Sequence, residues 1–396
     1  MDLTLSDEER EIRDWVRTFV RKEILPLEPD VLTRERRNEP GLKEEELKAL
    51  QDKAREAGFF GVHTPEEYGG MGLGALMNAL IEVELGRSFV QFRFGGEADN
   101  ILYRANEEQK ATYLVPTIEG TRKSCFAITE PGAGSDARAI RTSAKREGDE
   151  WVINGEKTFI TGGNEADFTM VFAVTDLQKD SEGRPIYDGS GVTCFLVDRD
   201  QGWKSEYIDT MGEWGPAALI FDNVRVPHSA ILGEEGKGFE LAMRWIGKGR
   251  YLLPARALGA CERLVEMGME HARTRETFGE PIAERQAIQW MVADSAVEIE
   301  ALRWLVLTAA WQVDQGLDSR QAQSMAKLYG GVKANEIVDR VLQMHGGMGY
   351  TRELPVERWY RELRLLRIYE GTDEIQRRTL ARNLLKGHAS VRGHLG

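Results

Sequence analysis

The spacing of apolar residues changes twice along this chain of 396 residues, and that change limits the folds it can adopt. Residues 1–120 show the three- and four-residue spacing of amphipathic helices. Residues 121–233 instead form short runs rich in β-branched and aromatic residues, separated by turn pairs such as Asn154-Gly155. Residues 234–396 return to helical spacing in long segments with short connections. The sequence therefore predicts an α+β fold, mainly α, with an N-terminal helical domain, a middle antiparallel β domain and a C-terminal antiparallel helix bundle.

The middle region argues against two common ways of holding a nucleotide. Its strands follow one another at short intervals with no helix between them, so we expect an antiparallel sheet or small barrel and no βαβ units. The sequence has no Gly-x-Gly-x-x-Gly between a strand and a helix, and no Walker-type Gly-Lys-Ser/Thr. Any nucleotide bound here is therefore not held in the Rossmann or P-loop manner.

The charge balance argues against a sequence-independent nucleic-acid-binding protein. Lys plus Arg number 52 and Asp plus Glu number 65, so the formal net charge is −13, whereas such proteins carry a basic face. The polar, acidic start of the chain has the pattern of neither a signal peptide nor a transit peptide, and no apolar run approaches the length that spans a bilayer. We therefore expect a cytoplasmic protein without a membrane span.

The cysteines and histidines predict neither disulfides nor a metal site. Cys125, Cys194 and Cys261 are far apart, odd in number and form no Cys-x-x-Cys, which favours buried free thiols in a reducing compartment. The six histidines show no metal-ligand spacing. We therefore expect no bound metal.

A lone carboxylate stands near the end of the chain in the stretch LLRIYEGTDEIQRR. Thr372, followed by Asp373 and Glu374, is typical of a helix N-terminus, because a capping hydroxyl and early acidic residues suit that end. This interpretation does not explain Glu370, which precedes the cap and follows apolar residues that raise a carboxyl pKa. A raised pKa suits proton abstraction. The local pattern leaves a structural helix start and a general base both open.

Two glycine-containing segments allow backbone groups to approach a ligand closely. In AITEPGAGSDARA, Thr129 and Ser135 flank a glycine-rich turn, so hydroxyl groups and small residues are presented together. An ordinary strand-to-strand loop explains the same pattern equally well. The segment QMHGGMGY places Gly346 and Gly347 at a helix end, either as a helix C-cap or as a ligand contact.

These segments occur together in an order that closely resembles the acyl-CoA dehydrogenase family. The resemblance rests on ITEPGAGSD at the start of the β region, RETFGEPIAERQ and QMHGGMGY in the bundle, and YEGTDEIQ near the end. It covers essentially the whole chain. It implies a homotetramer (a dimer of dimers) that binds FAD and introduces a trans double bond between C2 and C3 of an acyl-CoA thioester. It also implies an electron-transferring flavoprotein as the electron acceptor.

The resemblance assigns roles to individual residues. Glu370 matches the catalytic base that removes the C2 proton. The positions matched to FAD contacts are Phe126, Ile128, Thr129, Ser135, Phe159, Ile160, Thr161, Arg275, Thr277, Phe278, Gln286, Gln343, Gly346, Gly347, Thr372 and Glu374. The expected substrate contacts are Ser135, Arg250, Gly371 and Arg93. Arg93 lies in the segment that matches the acyl end of the pocket, where it either pairs with a carboxylated acyl tail or is simply a solvated charge.

The resemblance also leaves other activities to consider. Some branches of the family carry the base just before the arginine matched by Arg250, but that position is Gly249 here, which favours Glu370 as the sole base. An acyl-CoA oxidase or an enoyl-CoA reductase on the same fold remains open. A non-enzymatic relative that binds nucleic acid or protects another molecule is disfavoured by the net charge and by the presence of Glu370.

Overall fold

The structure is a computed structural model that describes residues 4–213 and 215–392, apart from the side chain of residue 248. The chain divides into two compact units. We call them the helical unit, with the stretches Met1–Gly58, Leu73–Arg93 and Lys248–Gly396, and the sheet unit, with Phe59–Gly72 and Phe94–Gly247.

The long helices lie where the periodicity predicts them. The α-helices are α1 Asp7–Phe19, α2 Glu28–Arg36, α3 Glu44–Glu56, α4 Ala75–Gly86, α5 Glu107–Gln109, α6 Val115–Glu119, α7 Gly238–Thr274, α8 Gln286–Asp314, α9 Arg320–His345, α10 Gly347–Tyr350, α11 Val356–Leu365 and α12 Asp373–Leu385. Two π-helical turns, Val20–Ile24 and Lys110–Leu114, continue α1 and join α5 to α6.

Local capping explains where two of these helices begin. Ser6 Oγ accepts a hydrogen bond from the N–H of Glu9 (3.2 Å), and the Glu9 carboxylate accepts one from the N–H of Ser6 (2.7 Å). This capping box satisfies N–H groups that the first turn of α1 leaves without helical partners. The Thr372 hydroxyl accepts from the N–H of Ile375 (3.3 Å) at the start of α12. The predicted cap at Thr372 is confirmed.

Glycines allow α4 and α7 of the helical unit to approach each other closely. A Cβ added at Gly86 of α4 would lie 2.0 Å from the carbonyl oxygen of Arg256 on α7. One added at Gly259 of α7 would lie 1.8 Å from the carbonyl oxygen of Val83 on α4. Larger residues at these two positions would push the helices apart. The contacts therefore fix α7, which carries Gly249, against α4.

The strands are β1 Ser124–Ala127, β2 Ser143–Glu147, β3 Glu150–Ile160, β4 Phe168–Val174, β5 Val192–Asp198, β6 Lys204–Tyr207, β7 Ala217–Pro227, β8 Ile231–Leu232, β9 Glu276–Thr277 and β10 Glu280–Pro281. The sheet unit orders its strands β6-β7-β3-β2-β4-β5-β8, with β1 also paired to β4. Most neighbours run antiparallel as predicted, but β1 and β4 run parallel and β2 meets β4 in parallel at one residue pair. The intervening β2–β3 hairpin and its connections supply the crossover that a parallel pair needs. The sheet is therefore mixed rather than purely antiparallel.

The central strands β4 and β5 are buried on both faces. Side chains alternate along a strand, so Phe168, Met170 and Phe172 of β4 join one apolar cluster. Val171 and Ala173 of the same strand join the other cluster. Apolar side chains therefore lie on both faces of the central strands, and the sheet unit has a core on both sides.

The remaining sequence features add constraints on function. Cys125, Cys194 and Cys261 are buried free thiols, as predicted. None of the described helices combines the length and the apolar character needed to cross a membrane. Among residues 4–213 and 215–392, no three His, Cys, Asp or Glu side chains group as ligands for a metal ion.

Candidate active site

The helical unit changes direction sharply at Glu370. α11 ends at Leu365 and α12 begins at Asp373, so the glutamate lies in the connection between two helices, as predicted. Glu370 has a φ of +51° and Gly371 a φ of +96°. A left-handed backbone is uncommon for a residue with a side chain, and such strained residues cluster at functional sites. The backbone therefore singles out Glu370.

The Glu370 carboxyl group lies against the bare backbone of α7. A Cβ added at Gly249 would lie 1.6 Å from Glu370 Oε2 and 2.7 Å from Oε1, so a side chain at position 249 would displace the carboxyl group. Oε2 is buried and has no hydrogen-bond partner among the described residues. Buried polar atoms are normally satisfied. An unpartnered carboxylate oxygen therefore indicates a site that exchanges a proton or binds a ligand.

The pKa of Glu370 suits a general base. Burial raises this pKa to about 7, although the positive charges of Lys327 and Arg250 act in the opposite direction. A carboxyl group that titrates near neutral pH is a stronger proton acceptor than an ordinary exposed glutamate. The arrangement is able to take a proton from a weakly acidic carbon held beside it.

Two buried side chains that the sequence analysis missed hold this connection in place. Lys327 Nζ on α9 donates to the carbonyl oxygens of Leu366 (2.5 Å) and Gly371 (2.7 Å). Gln376 Nε2 on α12 donates to the carbonyl oxygens of Glu370 (3.3 Å) and Gly371 (3.2 Å). Both side chains are buried. A lysine on the apolar face of a helix is the sequence signal for Lys327, because a lysine is rarely buried without a specific partner.

Arg250 follows Gly249 on α7 and interacts with the same carboxyl group. Burial lowers the pKa of Arg250, and the charge of Glu370 acts in the opposite direction. Arg250 Nε is buried with no hydrogen-bond partner among the described residues. A buried guanidinium with an unused donor suits an anionic ligand. The structure thus brings Arg250 together with Glu370, which Gly371 and Thr372 follow in the chain.

Two further predicted residues of the helical unit face solvent. The side chain of Arg93 is exposed, and its carbonyl oxygen accepts a hydrogen bond from Gln51 Nε2 (3.1 Å). Glu374 is exposed on the first turn of α12, where hydrogen bonds from its own backbone and from Thr372 lower its pKa. Both side chains are therefore accessible to a ligand.

The segment after α7 forms a hairpin that presents an aromatic ring to solvent. Phe278 and Gly279 connect β9 to β10, and their φ values of +54° and +87° are those of a two-residue left-handed turn. Phe278 is 99% exposed. Arg275 precedes the hairpin, Thr277 lies on β9 and Gln286 begins α8. Because an exposed aromatic ring is unfavourable in water, the hairpin is suited to contact a ligand or another chain.

The end of α9 carries glycines that packing does not require. Gly346 has a φ of +57° and a ψ of −138°, a conformation open essentially only to glycine. A Cβ at Gly346 or Gly347 would meet no atom within 4 Å, so both backbones are open to a ligand. Gln343 is exposed in the last turn of the helix. The His345 ring stacks on His271 with 4.4 Å between ring centroids, which links this end of α9 to the end of α7 before the hairpin.

In the sheet unit, the loop after β1 is tied to β3. Lys157 Nζ donates to the carbonyl oxygen of Ile128 (3.1 Å) and to Glu130 Oε1 (2.8 Å). The N–H of Thr158 donates to the carbonyl oxygen of Thr129 (2.8 Å). Strand β3 therefore fixes the start of the loop in position.

The two ends of this loop differ in exposure. Phe126 on β1 stacks on Trp245, with ring centroids 4.0 Å apart and ring planes 7° apart. Ser135 is exposed at the other end. A Cβ at the neighbouring Gly132 or Gly134 would meet no atom within 4 Å. The loop thus combines a rigid start with open space around its glycines and hydroxyl group.

Phe159 interrupts strand β3 two residues after Lys157. It has a φ of +57°, and the register against β7 shifts between Lys157 and Ile160. The ring is 62% exposed, whereas Ile160 is buried, and Thr161 follows as an exposed residue. A left-handed backbone at phenylalanine and an exposed aromatic ring are each unfavourable. Together they favour a ligand contact at this edge of the sheet unit.

Three family models match the chain in succession. They describe acyl-CoA dehydrogenase, N-terminal domain, over residues 6–121; acyl-CoA dehydrogenase, middle domain, over residues 125–224; and acyl-CoA dehydrogenase, C-terminal domain, over residues 236–385. The matched regions follow one another without overlap and cover most of the chain.

Individual proteins are similar to the chain over nearly its whole length. The 3-(aryl)acrylate reductase of Clostridium sporogenes (strain ATCC 15579) is 38% identical, covering 95% of this chain and 98% of that protein. The short-chain specific acyl-CoA dehydrogenase of Homo sapiens mitochondria is 36% identical, covering 94% and 89%. A chain solved in a study of the electron transferring flavoprotein of Acidaminococcus fermentans has a TM-score of 0.84 at 36% identity, covering 98% and 100%. The FAD complex of PigA has a TM-score of 0.85 at 27% identity, covering 97% and 99%.

Proposed function

Because the chain belongs to the acyl-CoA dehydrogenase family, we propose that it dehydrogenates an acyl-CoA thioester between C2 and C3 to the trans-2-enoyl-CoA. Glu370 is the base that takes the C2 proton. The observation that carries this proposal is the Glu370 carboxyl group, which has a buried, unpartnered oxygen and a pKa raised to about 7 by burial.

The residues around Glu370 supply more than a proton acceptor. An α-hydrogen of a thioester is a weak acid, and its removal becomes feasible when fixed donors meet the charge that develops on the thioester oxygen. The backbone N–H of Glu370 donates to no acceptor among the described residues. In our proposal it donates to that oxygen. Gly371 permits the left-handed backbone beside it and leaves room for the Gln376 side chain, since an added Cβ would lie 2.6 Å from Gln376 Nε2.

We propose FAD as the cofactor because individual positions of the chain suit contacts with the aromatic or phosphate parts of such a ligand. Phe159 offers an exposed ring, and the backbones of Gly346 and Gly347 are open. The similar PigA chain was solved as an FAD complex. When bound, FAD supplies the acceptor for the hydride that leaves C3. The other proposed FAD contacts are Phe126, Ile128, Thr129, Ser135, Ile160, Thr161, Arg275, Thr277, Phe278, Gln286, Gln343, Thr372 and Glu374.

The proposed substrate contacts separate the two ends of an acyl-CoA. Arg250 offers a buried, unused guanidinium donor to an oxygen of the CoA part. Gly371 is assigned to the thioester in this proposal, and Ser135 is a further proposed substrate contact. Arg93, whose side chain is exposed, is assigned to the acyl end.

An exposed apolar stripe on α8 supports self-association. Trp290, Val297 and Trp304 follow one another at seven-residue intervals and are 60%, 70% and 49% exposed. Apolar side chains repeated at this spacing lie on one face of a helix and favour burial against another chain. We therefore propose a homo-oligomer, specifically a tetramer built as a dimer of dimers.

The proposed electron acceptor is an electron-transferring flavoprotein. The similarity to a chain from a study of such a flavoprotein supports it.

A cytoplasmic location and the division into domains at residues 1–120, 121–233 and 234–396 belong to the same proposal. The buried free thiols suit a reducing compartment.

Reduction of an enoyl-CoA at the same site is a second candidate, favoured by the similarity to a 3-(aryl)acrylate reductase. In that direction protonated Glu370 delivers a proton to C2, because a residue that is a base in one direction is an acid in the other. A pKa of about 7 allows both roles near neutral pH. Adding a 2-enoyl-CoA to the chemically reduced protein and recording reoxidation of the flavin, next to the forward assay, establishes which direction is faster.

The test of the proposed function starts from the visible spectrum of the purified protein. We expect a flavin spectrum that bleaches with at least one saturated acyl-CoA. Glu370→Gln should lower the bleaching rate by about 10³-fold or more while the flavin stays bound. Glu353→Gln is the control, because Glu353 is an exposed glutamate that pairs with Arg36 at 3.3 Å, away from the connection that carries Glu370. A protein that binds no flavin, or a Glu370→Gln variant that bleaches as fast as the control, contradicts the proposal.

A further inference from the structure

Lys327 is a buried lysine with no carboxylate partner at ion-pair distance among the described residues. It lies on α9 and is 1% exposed. Its ammonium group donates to the carbonyl oxygens of Leu366 (2.5 Å) and Gly371 (2.7 Å). Burying a charge is unfavourable unless it is paired or hydrogen-bonded. A lysine kept at this position without an ion pair therefore needs a reason.

The two carbonyl oxygens lie at opposite ends of the connection between α11 and α12. Leu366 is the C-cap of α11, and Gly371 directly precedes the N-cap residue Thr372 of α12. Glu370, with its left-handed backbone, lies between the two tethered residues. A single ammonium group thus joins both ends of the segment that carries the proposed base.

Capping of α11 explains only one of the two hydrogen bonds that Lys327 donates. The last carbonyl oxygens of a helix lack helical partners, so a lysine at Leu366 satisfies an ordinary need of α11. Gly371 is not part of a helix, and its carbonyl oxygen also accepts from Gln376 Nε2. The second contact of Lys327 therefore acts on the connection itself.

The ammonium group also acts on Glu370 through its charge. Burial lowers the pKa of Lys327 to about 8, while Asp373 and Glu370 act to raise it and Arg250 acts to lower it. Lys327 therefore remains mostly protonated at neutral pH. In that state its charge favours ionised Glu370 and opposes the effect of burial.

The charged groups around this position come from several elements. Arg250 approaches from α7 and Lys327 from α9. Asp373 belongs to α12, and its Oδ2 accepts from Arg367 Nε (2.7 Å) within the connection. Tyr369 precedes Glu370, and burial raises its pKa, so it is neutral near pH 7. Among the described residues, Lys327 and Arg250 are thus the cations that act on Glu370, and of these two Lys327 also donates to the backbone of the connection.

We infer that Lys327 is a positioning residue for the proposed reaction: by binding the carbonyl oxygens of Leu366 and Gly371, it holds the Glu370 carboxyl group over Gly249 and keeps a positive charge near it. The inference rests on the proposed function of Glu370. The tether itself is a property of the backbone and is measurable without substrate.

The test compares three variants. Lys327→Met keeps most of the side-chain length and removes both the donor and the charge, whereas Lys327→Arg keeps both. Lys333→Met is the matched control on the same helix, since Lys333 pairs with Glu298 (2.8 Å) and Glu336 (2.6 Å) and does not contact the connection.

Amide hydrogen exchange, read by mass spectrometry on peptides covering residues 365–376, measures the tether in the full-length protein as purified. We expect exchange there to be about tenfold faster in Lys327→Met. It should stay close to the wild-type rate in Lys327→Arg and Lys333→Met. Unchanged exchange in Lys327→Met overturns the inference, whatever the enzyme does.

The pH dependence of flavin bleaching by an acyl-CoA separates positioning of the base from a general loss of stability. Loss of the cation removes an interaction that lowers the pKa of Glu370, so the midpoint should move to higher pH by about one unit in Lys327→Met. At pH 7 the bleaching rate should fall about tenfold, with KM changed less than about threefold. Lys327→Arg should restore the midpoint and most of the rate. An unmoved midpoint in Lys327→Met, or an arginine variant that behaves like the methionine variant, overturns the inference.

Two provisions keep the outcomes distinct. If Lys327→Met does not fold, Lys327→Gln, which keeps a donor without the charge, takes its place, and an unmoved pH midpoint in that variant overturns the inference. If the wild-type protein bleaches with no acyl-CoA, the proposed function fails. The exchange rates over residues 365–376 still show whether Lys327 holds the connection in place.

Discussion

Lys157 in the sheet unit and Lys327 in the helical unit are both almost fully buried, at 0% and 1% exposure. Each donates to a backbone carbonyl oxygen next to proposed site residues, and burial lowers the pKa of each to about 8. They differ in their second partner. Lys157 binds the Glu130 carboxylate directly at 2.8 Å, whereas Lys327 uses its other hydrogen bond for a second carbonyl oxygen.

The nearby carboxylates respond in opposite ways. Burial acts to raise the pKa of Glu130, but the charge and hydrogen bond of Lys157, with other hydrogen bonds, outweigh it and the pKa is lowered. Burial raises the pKa of Glu370 to about 7; the charge of Lys327 acts to lower it, but without a direct hydrogen bond to the carboxyl group it does not outweigh burial. A direct ion pair makes a carboxylate a fixed structural anion, whereas a lysine bound to the neighbouring backbone leaves it able to accept a proton.

The largest expected effect comes from breaking the direct pair. Lys157→Met leaves the buried Glu130 carboxylate without its cation, which should lower the free energy of unfolding by about 3 kcal/mol. Urea unfolding at pH 7 measures the loss. The double variant Lys157→Met/Glu130→Gln should recover much of the stability, since no buried charge remains. If the single variant loses less than about 1 kcal/mol, the structural role of this pair is wrong.

The second prediction removes the space that Glu370 occupies. Gly249→Ala places a Cβ 1.6 Å from the present position of Glu370 Oε2. Displacing the carboxyl group should slow bleaching by an acyl-CoA about 100-fold. Stability should not fall in parallel, because alanine is preferred to glycine inside a helix by about 1 kcal/mol. Gly247→Ala on the same helix is the control, since its Cβ would meet no atom within 4 Å; equal rates in the two variants would contradict the prediction.

The third prediction uses the raised pKa of Glu370. Between pH 4.5 and 7 the Glu370 carboxyl group loses its proton in the unfolded chain but keeps it in the folded protein. The stability of the wild type therefore falls as the pH rises through this range. Glu370→Gln removes that loss. At pH 8 the variant should therefore be more stable than the wild type by on the order of 2 kcal/mol, with the difference shrinking towards pH 5. Thermal unfolding of both proteins with the same flavin content across this range is the measurement, and a difference that does not change with pH would count against the raised pKa.

The smallest expected effect on stability comes from relieving backbone strain, which occurs in both the sheet unit and the helical unit. Phe159 lies two residues after Lys157 with a φ of +57°, and Glu370 has a φ of +51°. Asparagine tolerates this conformation, so Phe159→Asn should leave stability unchanged or raise it by about 0.5 to 1 kcal/mol. Retention of FAD on dilution should decrease, since the exposed ring is lost. Phe278→Asn in the hairpin turn tests in the helical unit whether relief of backbone strain is accompanied by weaker FAD retention. A Phe159→Asn variant that unfolds more easily than the wild type and retains FAD fully would contradict the prediction.

The sequence revealed the features that depend on nearby residues. The cap at Thr372 and the placement of Glu370 between two helices both follow from a few adjacent side chains. The roles of the predicted site residues in binding and catalysis stay predictions. So do the predicted domain boundaries.

The features that the sequence did not reveal depend on residues far apart in the chain. Lys327 bonds to carbonyl oxygens 39 and 44 positions away, and nothing in a helical pattern names a backbone oxygen as a partner. In the sequence, Gly249 indicates only that no carboxylate is present at that position, because the volume it leaves for Glu370 is visible only in three dimensions. The parallel pairing of β1 with β4 escaped for the same reason, since strand periodicity does not encode direction.

The contact between Glu370 and Gly249 also limits where this backbone can carry its carboxylate. A Cβ added at position 249 falls within the space of the Glu370 carboxyl group, so the two positions share one volume. A glutamate at both positions would form a crowded, like-charged pair in which ionisation of one group opposes ionisation of the other. The backbone of α7 at this point therefore has room for a carboxyl group from one of the two positions and not from both.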